Sequence, residues 1–308
     1  MIDKHDVVII GAGPAGLAAA IYTGRARLNT LVLEKGVPGG QILQTDWIEN
    51  YPGFADGISS LDLIQAFRDQ AQKFGARIET EEVTSIVEQD QTWLLKGTRK
   101  DYPTRAVIIA TGAGYRKLGV EGEERLTGRG VSYCATCDGA FFRDKRIAVV
   151  GGGDNALKEA LFLTKFCASL KLIHRRDRFR GEKILQERVF ANAKIEVLWD
   201  TIIESIQGED RLESLQLRNV KENSTQRLEM EGLFVSIGMN PNSEFVSDLV
   251  ELNEWKEIRV DSRMQTSRKG LFAAGDVTSA CPEQIATAIG TGVSAALALT
   301  EYLDGMGH

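Results

Sequence analysis

Two thiols stand three residues apart in YCATCDG, residues 133–139, and an acid follows the second directly. Cys134 and Cys137 in C-x-x-C spacing permit three chemistries: half of a zinc ligand set, a structural disulfide, or a dithiol that exchanges electrons. Zinc normally requires two further soft ligands, and only Cys167, Cys281 and three histidines remain, two of them (His5, His308) near the termini. Cys167 falls in a segment with helical pattern and reads as a small buried residue, and Cys281 lies in an irregular stretch without a role. A disulfide closing so short a loop adds little stability, because the effect grows with loop length. A redox dithiol fits best, and no metal is expected. In that reading Asp138 can carry the proton that thiol–disulfide exchange releases or consumes.

A dithiol of this kind needs an electron source, and the chain contains two elements suited to one. DVVII, GAGPAG, LAAAIYTGRA and NTLVLE read as strand, glycine turn, helix and strand. Gly11, Gly13 and Gly16 fit G-x-G-x-x-G, with Pro14 and Ala15 between them, and Glu34 follows Gly11 by 23 residues. The glycines permit a tight turn and close approach of backbone N–H groups to a pyrophosphate at the helix N-terminus. The acid suits a ribose hydroxyl. RIAVV, GGGDNA, LKEALFLTKF and LKLIHRRD repeat the pattern, with Gly151 and Gly153 leading, Asp154 and Asn155 following, and Ala156 in the third position. Gly151 to His174 is again 23 residues. The second unit ends in His174, Arg175 and Arg176, with Arg180 beyond. Arginines there favour a 2′-phosphate by charge-assisted hydrogen bonds, whereas an acid would repel one. The first unit therefore reads as a site for FAD or NAD, the second as a site for NADP.

Further downstream, GLFAAGDV places Gly275 and Asp276 at the end of a short apolar strand, suited to carrying an acid to a flavin's ribityl chain. AVIIATGA brings Ala110, Thr111 and Gly112 to the end of another. The first domain is thus expected to be discontinuous, 1–113 plus 242–308, with the NADPH-binding domain, 114–241, inserted and carrying the C-x-x-C. The fold class is α/β, with two Rossmann-like nucleotide-binding domains.

Composition sets the outer limits. The 308 residues suit about two domains. A net charge of −6 without a basic tract argues against nucleic acid as a partner. The apolar run at residues 7–21 is too short to span a bilayer, is flanked by Asp3 and Asp6, and is broken by the glycine motif, which argues against a signal peptide. A cytoplasmic location is expected.

Together, GAGPAG, PGGQI (38–42), ENYPG (49–53), ATGA, GRGVSYCATCDG (128–139), GGGDNALKEAL, HRRDRFR and GDV resemble the low-molecular-weight bacterial-type thioredoxin reductases, over nearly the whole chain. The resemblance implies two three-layer nucleotide-binding domains, for FAD and NADPH, joined by a two-stranded hinge, in a homodimer that passes electrons from NADPH through FAD and the dithiol to oxidised thioredoxin. Cys137 would face the flavin, Cys134 would attack the partner's disulfide, and Asp138 would serve as acid and base. The residues from Gly11 to Gly16, with Glu34, Lys35, Gly40, Gln41, Asn50, Ala110, Thr111, Gly112, Gly275, Asp276, Gln284 and Ile285, would bind FAD. Gly151, Gly153, Asp154, Asn155, His174, Arg175, Arg176, Arg180 and Ile237 would bind NADPH. Arg129, Phe141 and Phe142 resemble a thioredoxin-docking patch, although core packing explains the two phenylalanines equally well. In the family the NADP domain rotates between two states.

The chain departs from the family pattern after GDV, where an aromatic-Arg-Gln-Ala sequence is usual. Here Pro282, Glu283, Gln284 and Ile285 occupy those positions, so a glutamate replaces an arginine near the flavin. Asn155 and Lys158 also differ from the common forms. Rival readings are a dithiol oxidase of the same fold, the flavoprotein component of an alkyl hydroperoxide reductase, and a non-enzymatic flavin-binding sensor. The second would carry a large thioredoxin-like region before the FAD strand, which here starts by residue 6. The oxidase would not need Arg175 and Arg176.

Overall fold

The computed structural model describes residues 5–44, 47–89, 92–280 and 282–305. Cys281, His308 and the acid Asp3 lie outside the described residues. The chain forms two compact units, one of Met1–Gly114 with Asn240–His308, the other of Tyr115–Met239. The two crossings, Ala113–Tyr115 and Met239–Pro241, pair as a two-stranded sheet.

In the first unit, the strands Arg77–Thr80, Thr30–Glu34, His5–Ile10, Asp101–Ile109 and Leu271–Ala273 lie parallel in that order. Val83–Gln89 and Thr92–Gly97 extend the sheet as an antiparallel meander from Asp101–Ile109. Successive residues of a strand face opposite sides, so the central strand supplies two cores. Val7 and Ile9 pack with Ala15, Leu17 and Ala20 of the helix Pro14–Arg25 and with Ala295 and Leu299 of the helix Ile285–Gly305. Val8 and Ile10 pack on the other face with Ile86, Trp93 and Leu95 of the meander. Helices, parallel sheet and meander make three layers.

The second unit repeats the plan. Its parallel strands run Val131–Ser132, Gly232–Ser236, Arg146–Gly151, Ser169–Ile173 and Ile195–Leu198. Ile147 and Val149 face Ala156, Leu157 and Ala160 of the helix Asp154–Leu163. Ala148 and Val150 face Ile203, Leu215 and Leu217 of the antiparallel strands Thr201–Gln207 and Ser214–Asn219. The expected helix LKEALFLTKF ends earlier, at Leu163. Cys167 therefore lies in the turn beyond it, fully buried in the core, its amide bonded to the Leu163 carbonyl at 3.0 Å.

Both glycine turns owe their shape to close packing. A Cβ on Gly11, where φ is +103°, would stand 2.3 Å from the Ala110 carbonyl oxygen, and one on Gly151 would stand 2.2 Å from that of Ser236. In each case the first glycine lets the turn lie against the neighbouring strand's end. At the third position the units diverge. A Cβ on Gly16 would meet the Gly11 oxygen at 1.9 Å, whereas Ala156 is accommodated in the gap left by Gly151.

Candidate redox site and dinucleotide-binding turns

Cys134 and Cys137 form a disulfide with their Cα atoms 5.3 Å apart. Cys134 sits at the N-cap of the short helix Ala135–Asp138, and its sulfur accepts the Cys137 amide at 3.3 Å. Both residues are half-buried. Asp138 turns back toward the start of the loop, where the Ser132 hydroxyl donates to its Oδ2 at 2.6 Å. The same hydroxyl accepts the Cys134 amide at 3.1 Å. Ser132 thus ties the acid to the backbone of the first cysteine. The hydroxyl was legible in the sequence only as part of the loop.

Below this loop, the buried Glu123 accepts from the amides of Leu118 and Gly119, each at 2.8 Å, and from Tyr133 Oη at 2.8 Å. Tyr133 also stacks on Tyr115, with ring centroids 5.1 Å apart. Burial, then the Glu123 carboxylate, hold the Tyr133 phenol well above its ordinary range. These contacts fix the residue immediately before Cys134. The two phenylalanines that follow the dithiol separate: Phe142 is buried and packs edge-on against Phe234 at 5.0 Å, while Phe141 and Arg129 are exposed. Phe142 is therefore a core residue, because the short 3-10 turn Gly139–Phe142 points it down onto the sheet. Among the described residues, no group of three or more His, Cys, Asp or Glu could hold a metal ion.

The first glycine turn is open where a pyrophosphate would lie. Among the described residues, nothing stands within 4 Å of a Cβ on Gly13 or Gly112. The helix Pro14–Arg25 begins with Gly13 as N-cap and Pro14 in its first turn, without a side-chain cap bond, so its leading N–H groups remain available to an anion. Glu34 Oε2 accepts the Ala12 amide at 2.8 Å and Oε1 accepts the Gly36 amide at 2.9 Å. Each oxygen keeps a lone pair for a ribose hydroxyl. A Cβ on Gly40, where φ is +61°, would stand 3.4 Å from the Gly13 Cα, and Lys35 is exposed beside Glu34.

The remaining first-unit residues gather from distant parts of the chain. Gln41 Nε2 donates to the Ala113 carbonyl, and Asn50 Nδ2 donates to Gln284 Oε1 at 3.3 Å. Asn242, which sequence reasoning passed over, clamps the strand end: it accepts from Thr111 Oγ1 through its carbonyl at 2.7 Å and donates from Nδ2 to the Thr111 carbonyl at 2.8 Å. Thr291, also passed over, receives the Gly275 amide at 2.9 Å and so fixes the GDV turn. Ile285 opens the last helix, half-buried against the first core.

Two buried oxygens here, Gln41 Oε1 and Asp276 Oδ1, find no hydrogen-bond donor among the described residues. Burial raises Asp276 to about 6. Glu283 is also pushed up, by desolvation and then by the charges of Asp276 and Glu257. Acceptors waiting for donors, beside an open turn with free amides, fit a polyhydroxylated dinucleotide such as a flavin cofactor.

The second turn is built alike. Among the described residues, nothing lies within 4 Å of a Cβ on Gly153, and the helix Asp154–Leu163 likewise lacks a side-chain cap bond. Asp154 reaches away from the turn to accept the Glu182 amide at 2.7 Å. Arg175, Arg176 and Arg180 are exposed, and among the described residues no carboxylate pairs with them. Asn155 is exposed at the start of the helix, and Ile237 lies half-buried against the second core. His174 differs from its neighbours: only 6% exposed, it lies beneath the turn.

Two dinucleotide folds, each with an open glycine turn, and a disulfide in the second define a flavin- and pyridine-nucleotide-dependent disulfide oxidoreductase. The chain belongs to the pyridine nucleotide-disulphide oxidoreductase family, whose profile matches residues 5–292. Membership implies a flavin and a pyridine nucleotide. Over 301 residues it is 43% identical to the thioredoxin reductase of Bacillus subtilis (strain 168), covering 97% of this chain and 95% of that protein. The thioredoxin reductase of Mycolicibacterium smegmatis is 46% identical over 300 residues, 97% of this chain and 96% of its own. The crystal structure of thioredoxin reductase from Streptococcus pyogenes MGAS5005 superposes with a TM-score of 0.93 at 42% identity, covering 99% of this chain and all of that one. No helix among the described residues is long and apolar enough to cross a membrane.

Proposed function

We propose that the protein is an NADPH-dependent thioredoxin-disulfide reductase. The observation that carries the reading is the Cys134–Cys137 disulfide, held by Ser132 and Asp138 in a unit whose dinucleotide turn is flanked by three exposed arginines with no carboxylate partner among the described residues. The first unit is assigned to FAD and the second to NADPH. When bound, FAD supplies the two-electron link between the reduced nicotinamide and the disulfide.

The chain's own residues perform the exchange with the partner. In the reduced state, the Cys137 amide gives a thiolate on Cys134 a hydrogen bond, which favours the charged, nucleophilic form. Cys134 attacks the disulfide of oxidised thioredoxin, forming a mixed disulfide and releasing one partner thiolate. Cys137 then attacks the Cys134 sulfur, re-forming the internal disulfide and releasing the second partner thiolate. Asp138 moves the protons, with Oδ2 anchored on Ser132. Arg175, Arg176 and Arg180 hold the 2′-phosphate, and Arg129 with Phe141 offers an exposed surface to thioredoxin. The enzyme acts as a homodimer in the cytoplasm, as the resemblance to its relatives implies.

Anaerobic mixing of the flavin-loaded protein with NADPH or NADH, followed by oxidised thioredoxin, tests the reading. NADPH should bleach the flavin faster than NADH, and thioredoxin should restore it. Faster reduction by NADH would remove the donor assignment. Restoration by oxygen but never by thioredoxin would favour the dithiol oxidase reading.

A further inference from the structure

Two hydrogen-bond donors converge on the sulfur of Cys134. The Cys137 amide lies 3.3 Å from it and the Thr136 hydroxyl 3.4 Å from it. A disulfide sulfur carries no hydrogen, so in this state the hydroxyl must be the donor and Sγ the acceptor. A thiolate carries none either, so the direction of the bond survives reduction. Its strength rises, because a charged sulfur is the better acceptor. Among the described residues, no hydrogen bond reaches the Cys137 sulfur, so the two thiols are served unequally.

The turn holds both donors in place. Ala135 is buried in the core of the second unit, and the Asp138 amide closes the turn on the Cys134 carbonyl at 3.1 Å. Thr136 itself is exposed. The charged groups around the turn do not by themselves favour a thiolate. Asp138 belongs to the turn, and the buried Glu123 is bonded to Tyr133, the residue before Cys134. The helix Asp154–Leu163, which packs against Ala135, adds Glu159, half-buried, and Lys158, exposed. The strand Val131–Ser132 and the 3-10 turn Gly139–Phe142 add no charge. Acids outnumber cations here, so the two hydrogen bonds, rather than a neighbouring positive charge, are what favour the charged sulfur.

We propose that Thr136 is a catalytic residue: its hydroxyl donates to the Cys134 thiolate of the reduced protein and, with the Cys137 amide, makes Cys134 rather than Cys137 the sulfur that carries the charge. The inference rests on the reading that Cys134 attacks the partner's disulfide. In that attack the thiolate's electron pair forms the bond from Cys134 to one partner sulfur, the partner's own disulfide breaks, and the charge leaves on its second sulfur.

Iodoacetamide alkylation of the flavin-loaded protein, with its disulfide reduced and the reductant removed, reads each sulfur separately by peptide mass spectrometry. Cys134 should react faster than Cys137 at pH 7. Thr136→Val keeps nearly the same side-chain shape and removes the donor. It should slow Cys134 about fivefold at pH 7, the worth of one hydrogen bond. The deficit should close above about pH 10, where the thiol ionises unaided. Thr136→Ser should restore the rate at pH 7. A deficit equal at every pH, which a mere disturbance of the turn would give, or no deficit at pH 7, overturns the inference while leaving the nucleophile assignment in place. Faster reaction of Cys137 in the unmodified protein overturns both.

Discussion

Ser132 donates a 2.6 Å hydrogen bond to Asp138 and, through the same oxygen, receives the amide of Cys134. One hydroxyl therefore fixes where the acid sits relative to the disulfide. Ser132→Ala should leave the carboxylate without this donor and slow dithiol–disulfide exchange with thioredoxin by about tenfold, because a hydrogen bond to a charged group contributes about 1.5–3 kcal/mol. Ser132→Thr should recover most of the rate. Stopped-flow measurement of the reduced enzyme's reoxidation reads both, and an unchanged rate in the alanine variant would remove Ser132 from the exchange.

Arg175 and Arg176 are exposed and unpaired among the described residues, so their loss should cost little stability. Their joint replacement by alanine should raise the KM for NADPH by two orders of magnitude or more, at about 1.5–3 kcal/mol per charge-assisted bond, and change that for NADH only slightly. Steady-state kinetics with both donors decides the matter. Equal losses with the two would count against 2′-phosphate recognition.

Much of the architecture was legible because it is periodic or spaced. The paired glycine turns, the buried strands before them, and Glu34 or the run from His174 into the arginines, each reached 23 residues on, are local patterns with one physical purpose. What escaped reading depends on single side chains meeting across long separations. Asn242 grips Thr111 from 131 residues away, and Thr291 holds Gly275 from 16, yet neither belongs to a periodic run. Direction was equally hidden. Phe141 and Phe142 are identical in type, but the turn buries one and exposes the other. His174, counted among the NADPH-binding residues, is buried where Arg175 and Arg176 are exposed, because it continues the buried strand Ser169–Ile173 by one residue.

Glu81 anchors the meander of the first unit. Its carboxylate accepts from Thr98 Oγ1 at 2.6 Å, the Arg99 amide at 3.2 Å and Tyr102 Oη at 3.2 Å. The Thr98 bond is the largest cause holding its pKa near about 2. A depressed carboxylate contributes stability that is fully present above its ordinary value and lost as pH falls through the folded one. Glu81→Gln should therefore destabilise the protein by about 1–3 kcal/mol at pH 7. The deficit should shrink between about pH 4.5 and pH 2, where the native carboxylate also gains a proton. Denaturant melts at pH 7 and pH 3 would show it, and a deficit independent of pH would mean that packing, not charge, sets the cost.

Asp276 presents the opposite case. Burial alone raises it to about 6, and its Oδ1 has no donor among the described residues. A raised carboxylate contributes stability that is complete below its ordinary value near 3.8 and lost as pH climbs through about 6. Above that pH the flavin-free protein holds a charge on a half-buried carboxylate whose Oδ1 has no donor among the described residues. Asp276→Asn should then stabilise the flavin-free protein at pH 8 by about 1–3 kcal/mol and have little effect at pH 4. With FAD present the order should reverse, because the carboxylate is the stronger acceptor for a ribityl hydroxyl and the amide the weaker. Thermal melts of flavin-free and flavin-loaded protein, at both pH values, test the two halves separately. Stabilisation that is the same with and without FAD would show that Asp276 does not meet the cofactor, and no stabilisation at pH 8 would show that its buried charge is satisfied in solution.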